Sequence, residues 1–315
     1  MASCASFAWA NMLSRPVQAI QASQLMSFSQ RYFTASARPL VIAITRSGGT
    51  SEVEQAVITL RDRYRAAALA VTGEPGGSVA NVCDAEIAFS ECVERSIVTT
   101  RAFTSMLLGL YLLADDLSGG RNRPDLAAIP RSIESALELS EQLARRMAED
   151  WRISRFVFLG SGPMKGLADE CALKMTEMAL SVASSFLTLE FRHGPKAALD
   201  SSTQVVLFPV KGENPYLNRV YEEIAETGAS LLIVSGGPSN RADRAQSTDS
   251  ARPSPEVFDE GPSGVSISFG DSIAEVLRPV LYVHLGQLMG YWRAIAGRLN
   301  PDSPPYLTRT VLLGR

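Results

Sequence analysis

The residues best suited to chemistry sit in one stretch, Phe156 to Leu199. Glu170, Lys174 and Glu177 are spaced by four and three, which puts all three on one face of a helix. As a bare pattern this is a solvated ion-pair ladder worth roughly a few tenths of a kcal/mol. Its position points to more than that. The helix follows an apolar strand, FVFLG, and a glycine turn, so its first turns lie near the edge where parallel sheets bind ligands. A polar cluster follows: Glu190-Phe191-Arg192-His193-Gly194-Pro195. A histidine before Gly-Pro is held in a turn, and with charged neighbours it suits acid/base work. The alternative is a capping or surface histidine. The only other histidine, His284, lies in the apolar helical run VLYVHLGQLMG and reads as a core or interface residue.

A second group is Thr45-Arg46-Ser47-Gly48-Gly49-Thr50-Ser51, between a buried strand and a helix. Glycines let backbone N–H groups approach a ligand, hydroxyls donate hydrogen bonds, and a helix N-terminus favours negative charge. This suits a phosphate monoester. An ordinary N-cap with a glycine turn, using Thr50 or Ser51, fits the same letters. The lysine of a P-loop is missing.

Strands are expected at Val17–Ala22, Leu40–Ile44, Ala67–Val71, Ala85–Phe89, from Phe156, and at Val205–Pro209, Leu231–Ser235 and Val265–Phe269. Helices are expected over 1–14, 51–64, 101–114, 130–148, after Gly162, and over 214–227 and 273–299. Residues 236–264, rich in Gly, Pro and Ser, read as a mobile surface loop. Strands alternating with helices predict an α/β chain with parallel sheets flanked by helices, and the order repeats as in a tandem duplication. The expected domains are 1–149 and 150–299, followed by a tail, 300–315.

Composition narrows the function. The chain has 315 residues, 46% of them apolar and 20% charged, and a net charge of −3. That balance gives no general attraction to nucleic acid or anionic membrane. No run approaches the roughly 18 apolar residues of a membrane helix. Four cysteines without CxxC spacing, together with two histidines, make no standard structural zinc site and read as reduced thiols of a cytoplasmic protein. The N-terminal stretch has arginines and no acidic residue before Glu52, as transit peptides do. The strand and loop at 39–50 favour a folded domain instead.

The stretches ITRSGGTSEV, GEPGGSVANVCD, ERSIVTTRAFT, LGSGPMKGLADECALKMTE, EFRHGPKAALD and LNPDSPPYLTR, in this order and spacing, resemble the sugar isomerase (SIS) domain family in its tandem form. The resemblance is to the isomerase half of glutamine:fructose-6-phosphate amidotransferase and to amino-sugar-phosphate deaminase/isomerases. It implies two flavodoxin-like SIS domains, a homodimer, a phosphorylated sugar or amino sugar as ligand, and no metal or organic cofactor. By the same resemblance Glu177 is the base that moves a proton between C1 and C2. His193 assists ring opening from the neighbouring subunit, and Lys174 stands beside the base. Thr45, Ser47 and Thr50 contact phosphate, and Thr99 contacts substrate.

Two departures from the family pattern stand out. The strand and Gly-Thr-Ser turn that precede the helix matched by residues 1–14 are missing, which implies an upstream start or an impaired first domain. The tail has Arg309 where a ring-opening lysine is expected. An arginine stays protonated and is a poor nucleophile, so phosphate or carboxylate binding is its expected role. The functions to weigh are thus an isomerase or deaminase/isomerase and a non-catalytic sugar-phosphate sensor.

Overall fold

The computed structural model describes residues 1–236, 256–259 and 264–313. In chain order the helices and strands begin with α1 (Ala2–Leu13), α2 (Ala22–Phe28), β1 (Leu40–Thr45), α3 (Ser51–Tyr64), β2 (Ala67–Thr72), the single-turn α4 (Ser78–Asn81) and β3 (Ala85–Ala88). Next come α5 (Arg101–Leu117), α6 (Arg123–Glu149), β4 (Arg155–Gly160), α7 (Pro163–Ala179), β5 (Val182–Phe186) and β6 (Thr203–Phe208). The last are α8 (Asn214–Ala225), β7 (Ser230–Ser235), β8 (Glu256–Asp259), β9 (Val265–Ser268) and α9 (Arg278–Ala296). Among the described residues no helix is long and apolar enough to cross a membrane.

The chain divides into two compact units. One comprises Met1, Ser3–Val17 and Leu110–Pro304; the other comprises Ala2, Gln18–Gly109 and Pro305–Arg315. The division therefore departs from the expected boundary at 149/150. The cause is packing. In the larger unit the indole N–H of Trp9, on α1, donates to the Leu110 carbonyl at 2.9 Å, and α6 lies along α9. The tail joins the smaller unit.

The smaller unit has a parallel three-stranded sheet in the order β1-β2-β3. Its apolar residues divide between two clusters: Leu25, Ala56, Leu60 and Tyr64, and Ala43, Val57, Ala70 and Val79. The strand expected at 17–22 is absent. Ile20 and Ala22 pack into the first cluster instead of pairing, and α2 starts at Ala22.

The larger unit has a six-stranded sheet in the order β5-β4-β6-β7-β9-β8, parallel except for β8, which runs antiparallel to β9. Every residue of β6 is buried, as a strand covered on both faces requires. Val157, Leu159, Val205 and Leu207 face a core with Val220 and Ile224 of α8. Phe208 stacks on Tyr282 of α9. Three expectations change here. Helix α6 starts at Arg123, with Pro124 in the first turn where a missing N–H is harmless, and runs through Pro130. Helix α7 stops where Leu180 turns left-handed (φ 50°), and β5 follows. The loop expected over 236–264 lies largely outside the described residues, and its described part contains β8.

Helix α7 is wedged between neighbours by close backbone approach. A methyl group at Gly166 would fall 2.7 Å from Cys4 Sγ, and one at Gly290 would fall 2.9 Å from the Lys174 carbonyl oxygen. At Gly286 it would overlap the Cys171 side chain. Arg293 ties the far end of α9 to the α6–β4 connection, donating to the carbonyls of Ala148 and Ile153 at 2.9 and 2.7 Å beneath the Trp151 ring. The expected cost of Gly286→Ala is about 1–3 kcal/mol, read as a lowered thermal midpoint. Gly212→Ala, at a site with nothing within 4 Å, should stay within about 0.5 kcal/mol of the parent.

Candidate functional site

The α7 ladder is buried. Lys174 is 1% exposed, and its Nζ lies 2.8 Å from Glu177 Oε2 and 3.2 Å from Glu170 Oε1. An ammonium without water needs such partners. The two carboxylates differ. Glu170 sits in the interior, and burial raises its pKa against the pull of Lys174. The Glu177 side chain is 24% exposed, so the same lysine joins an interior carboxylate to one that reaches solvent. The spacing of 170, 174 and 177 thus gives a shared face as expected, turned inward at one end.

His193 stands on a separate loop. It closes a 3₁₀ turn, Glu190–His193, and is exposed; Gly194 follows with φ 145°. Phe191 plugs the core beside Phe186, with ring centroids 5.6 Å apart. The carboxylate of Glu223, on α8, accepts two bonds from Arg192, at 3.0 and 2.9 Å, and pairs with Lys196 at 3.0 Å. Arg192 first, then Lys196, holds Glu223 down at about 2. Sequence reading missed this carboxylate, because its partners come from a distant loop. His284 is buried as expected: Nδ1 donates to the Leu281 carbonyl at 2.9 Å, and burial pulls the ring down to about 4.

The glycine turn before α7 is occupied from within. Gly162 has φ 54°. The Ser161 hydroxyl donates to Glu213 at 2.6 Å and accepts from the Thr188 amide at 3.3 Å. A carboxylate in that place repels an anion. Neither Ser161 nor Glu213 was singled out in the sequence, where only the glycines gave a signal.

In the smaller unit the Thr45 and Thr50 hydroxyls are 3.0 Å apart, and Ser47 Oγ accepts from the Gly49 amide at 3.4 Å. Thr50 occupies the N-cap position of α3 without a capping side-chain bond. Gly48 has φ 68°, and a methyl there would fall 2.8 Å from the Glu74 carbonyl oxygen. The Val79 amide donates to the Gly48 carbonyl at 3.0 Å, so two loops are locked together.

Thr99 is half-buried and precedes Thr100, whose amide and hydroxyl donate to Glu94 at 3.0 and 2.9 Å. Arg309 does bind a carboxylate, that of Glu74, and donates to the Glu94 carbonyl at 2.9 Å. The Arg46 guanidinium donates to the Arg309 and Ile97 carbonyls at 3.0 and 2.8 Å. The tail is thereby fastened to the loops of this unit.

Residues 151–257, which include α7 and the His193 loop, match the SIS domain family. The chain as a whole is similar in sequence to a sugar-phosphate deaminase and to sugar-phosphate aminotransferases. Over 311 residues it is 29% identical to D-galactosamine-6-phosphate deaminase AgaS of Shewanella sp. strain ANA-3, covering 93% of this chain and 70% of that protein. It is 29% identical to glutamine–fructose-6-phosphate aminotransferase (isomerizing) of Nostoc sp. strain PCC 9229, across 86% of this chain; it spans 44% of that relative, less than half. Among solved structures, glucosamine-6-phosphate deaminase of Thermotoga maritima superposes with a TM-score of 0.75 at 27% identity, covering 99% of this chain and 86% of that one. Tagatose-6-phosphate ketose/aldose isomerase of Escherichia coli has the same fold, with a TM-score of 0.79 at 20% identity, covering 99% and 83%.

Two outcomes follow from these contacts. Lys174→Met strands two carboxylates and should cost about 3–5 kcal/mol in urea unfolding. Glu223 contributes stability that is complete above its ordinary value of 4.5 and is lost as pH falls toward about 2. The unfolding free energy of the parent should therefore fall more steeply from about pH 5 to pH 2 than that of Glu223→Gln.

Proposed function

We propose that the protein binds a phosphorylated sugar or amino sugar and isomerises it between ketose and aldose forms through an enediol, or deaminates and isomerises an amino-sugar phosphate by the same proton movement. The observation that carries this reading is the Lys174–Glu177 pair, with one carboxylate fixed by a buried ammonium and still open to solvent. Such a group can take the proton from C1 of the open ketose as the C2 carbonyl pair moves to O2, which takes up a proton, giving the C1–C2 enediol; it returns the proton to C2 as the O1 hydroxyl loses its own and C1 becomes the carbonyl. Lys174 holds the carboxylate in place. His193 is the proton carrier for ring opening. Thr45, Ser47, Thr50 and Thr99 are the proposed ligand contacts, and the self-occupied turn at Ser161 favours the 45–50 loop as the phosphate binder. Arg309 is proposed as the tail's anchor on Glu74, in place of the anion contact expected of it. A homodimer is part of the proposal, supported by exposed Leu173, Leu180 and Val182 around the end of α7 and the edge strand β5.

A sensing role is favoured by one observation: Arg309 stands where catalysis would call for a lysine and is engaged with Glu74. The test is exchange in deuterated water with fructose 6-phosphate, 2-amino-2-deoxyhexose 6-phosphates and arabinose 5-phosphate. Incorporation at C1 or C2 by the parent should fall about 10²–10⁴-fold in Glu177→Gln. Binding without incorporation would establish the sensor instead. Thr50→Ala should raise KM with little change in kcat. Sedimentation should show a dimer.

A further inference from the structure

The loop that carries His193 is fastened by one carboxylate reaching across from another element. Arg192 and Lys196 lie on either side of His193-Gly194-Pro195, and both end on Glu223. The arginine bond is two-pronged, through Nε and Nη2, which fixes angle as well as distance. Arg219, one turn earlier on α8, meets the same carboxylate at 3.2 Å. The Glu223 side chain is 8% exposed. Around it, Phe191 is buried in the core and the Arg155 guanidinium donates to the Ala198 carbonyl. Between these anchors the crest is His193 and Gly194, the latter in backbone space that only glycine enters readily. Besides the clamp, backbone bonds hold the flanks of the crest, from the Arg192 amide to the Leu189 carbonyl at 3.2 Å and from the Ala197 amide to the Gly194 carbonyl at 2.9 Å.

We infer that Glu223 is a positioning residue for His193: by gripping Arg192 and Lys196 together it sets where the imidazole is presented, and it acts on catalysis only through that histidine. The inference rests on the reading of His193 as proton carrier.

The chain has only two histidines, and the other is buried in α9, so the ring signals of the full-length protein are separable by NMR. In Glu223→Gln the His193 ring resonance should shift or split while that of His284 stays put. Sugar-phosphate turnover should fall about 10- to 100-fold, and Glu223→Gln/His193→Asn should be no slower than His193→Asn alone. Lys196→Met, which removes one half-exposed arm, should give a smaller shift in the same direction and serves if Glu223→Gln does not fold. An unmoved His193 signal overturns the inference, as do losses that multiply in the double variant. If the parent itself shows no exchange, the proposed reaction fails, and the resonance experiment still decides whether Glu223 positions the ring.

Discussion

A buried ammonium is the constraint around which the larger unit is arranged. Lys174 has 1% of its side chain in contact with solvent, so its charge is tolerable only beside carboxylates. They must come from the same helix face, which fixes the spacing of Glu170 and Glu177. The helix must also be held still. That is the role of the glycine contacts from α1 and α9, where backbones approach too closely for even a methyl group. The three charges travel together on α7, so these contacts preserve the burial of Lys174 and the solvent access of Glu177.

The two glycine turns at strand ends look alike in sequence and differ in electrostatics. At β4 the turn faces Glu213 through Ser161, so its polar demand is met by the chain itself. At β1 the hydroxyls of Thr45 and Thr50 meet each other, and the N-cap position of α3 carries no side-chain cap. Paired hydroxyls can turn toward a ligand at little cost, whereas a carboxylate in the same place excludes an anion. Glu94 illustrates the opposite use of a helix start: its carboxylate accepts from Thr100 and Arg101 at the beginning of α5 and closes that terminus.

Much of this was legible in the residues. Apolar runs marked β1, β2, β4, β6 and β7, because strands covered on both faces leave no alternation to hide them. The α7 face followed from spacing alone. What escaped was set by tertiary partners. β5 is short and at an edge, so VASSF carries little signal. The stretch at 17–22 is extended in pattern but packs as a connector. Pro130 reads as a helix start, yet the helix around it is held by α9. The long-range carboxylates, Glu213 and Glu223, are invisible in sequence because each serves a loop far from it in the chain. Arg309 reads in sequence as a ligand contact for phosphate or carboxylate; its pairing with the protein's own Glu74, more than two hundred residues away, carries no sequence signal.

The division of the chain into units also bears on how the molecule is made. Neither unit is a continuous segment. The larger takes its first helix from the start of the chain and the rest from residue 110 onward, and the smaller takes its last strap from residues 305–315. During synthesis the three-stranded sheet emerges well before the segment bearing Arg309. Its fastening through Arg309 must wait until residues 110–304 have been made, so the smaller unit closes only once the sequence of the larger one has been synthesised.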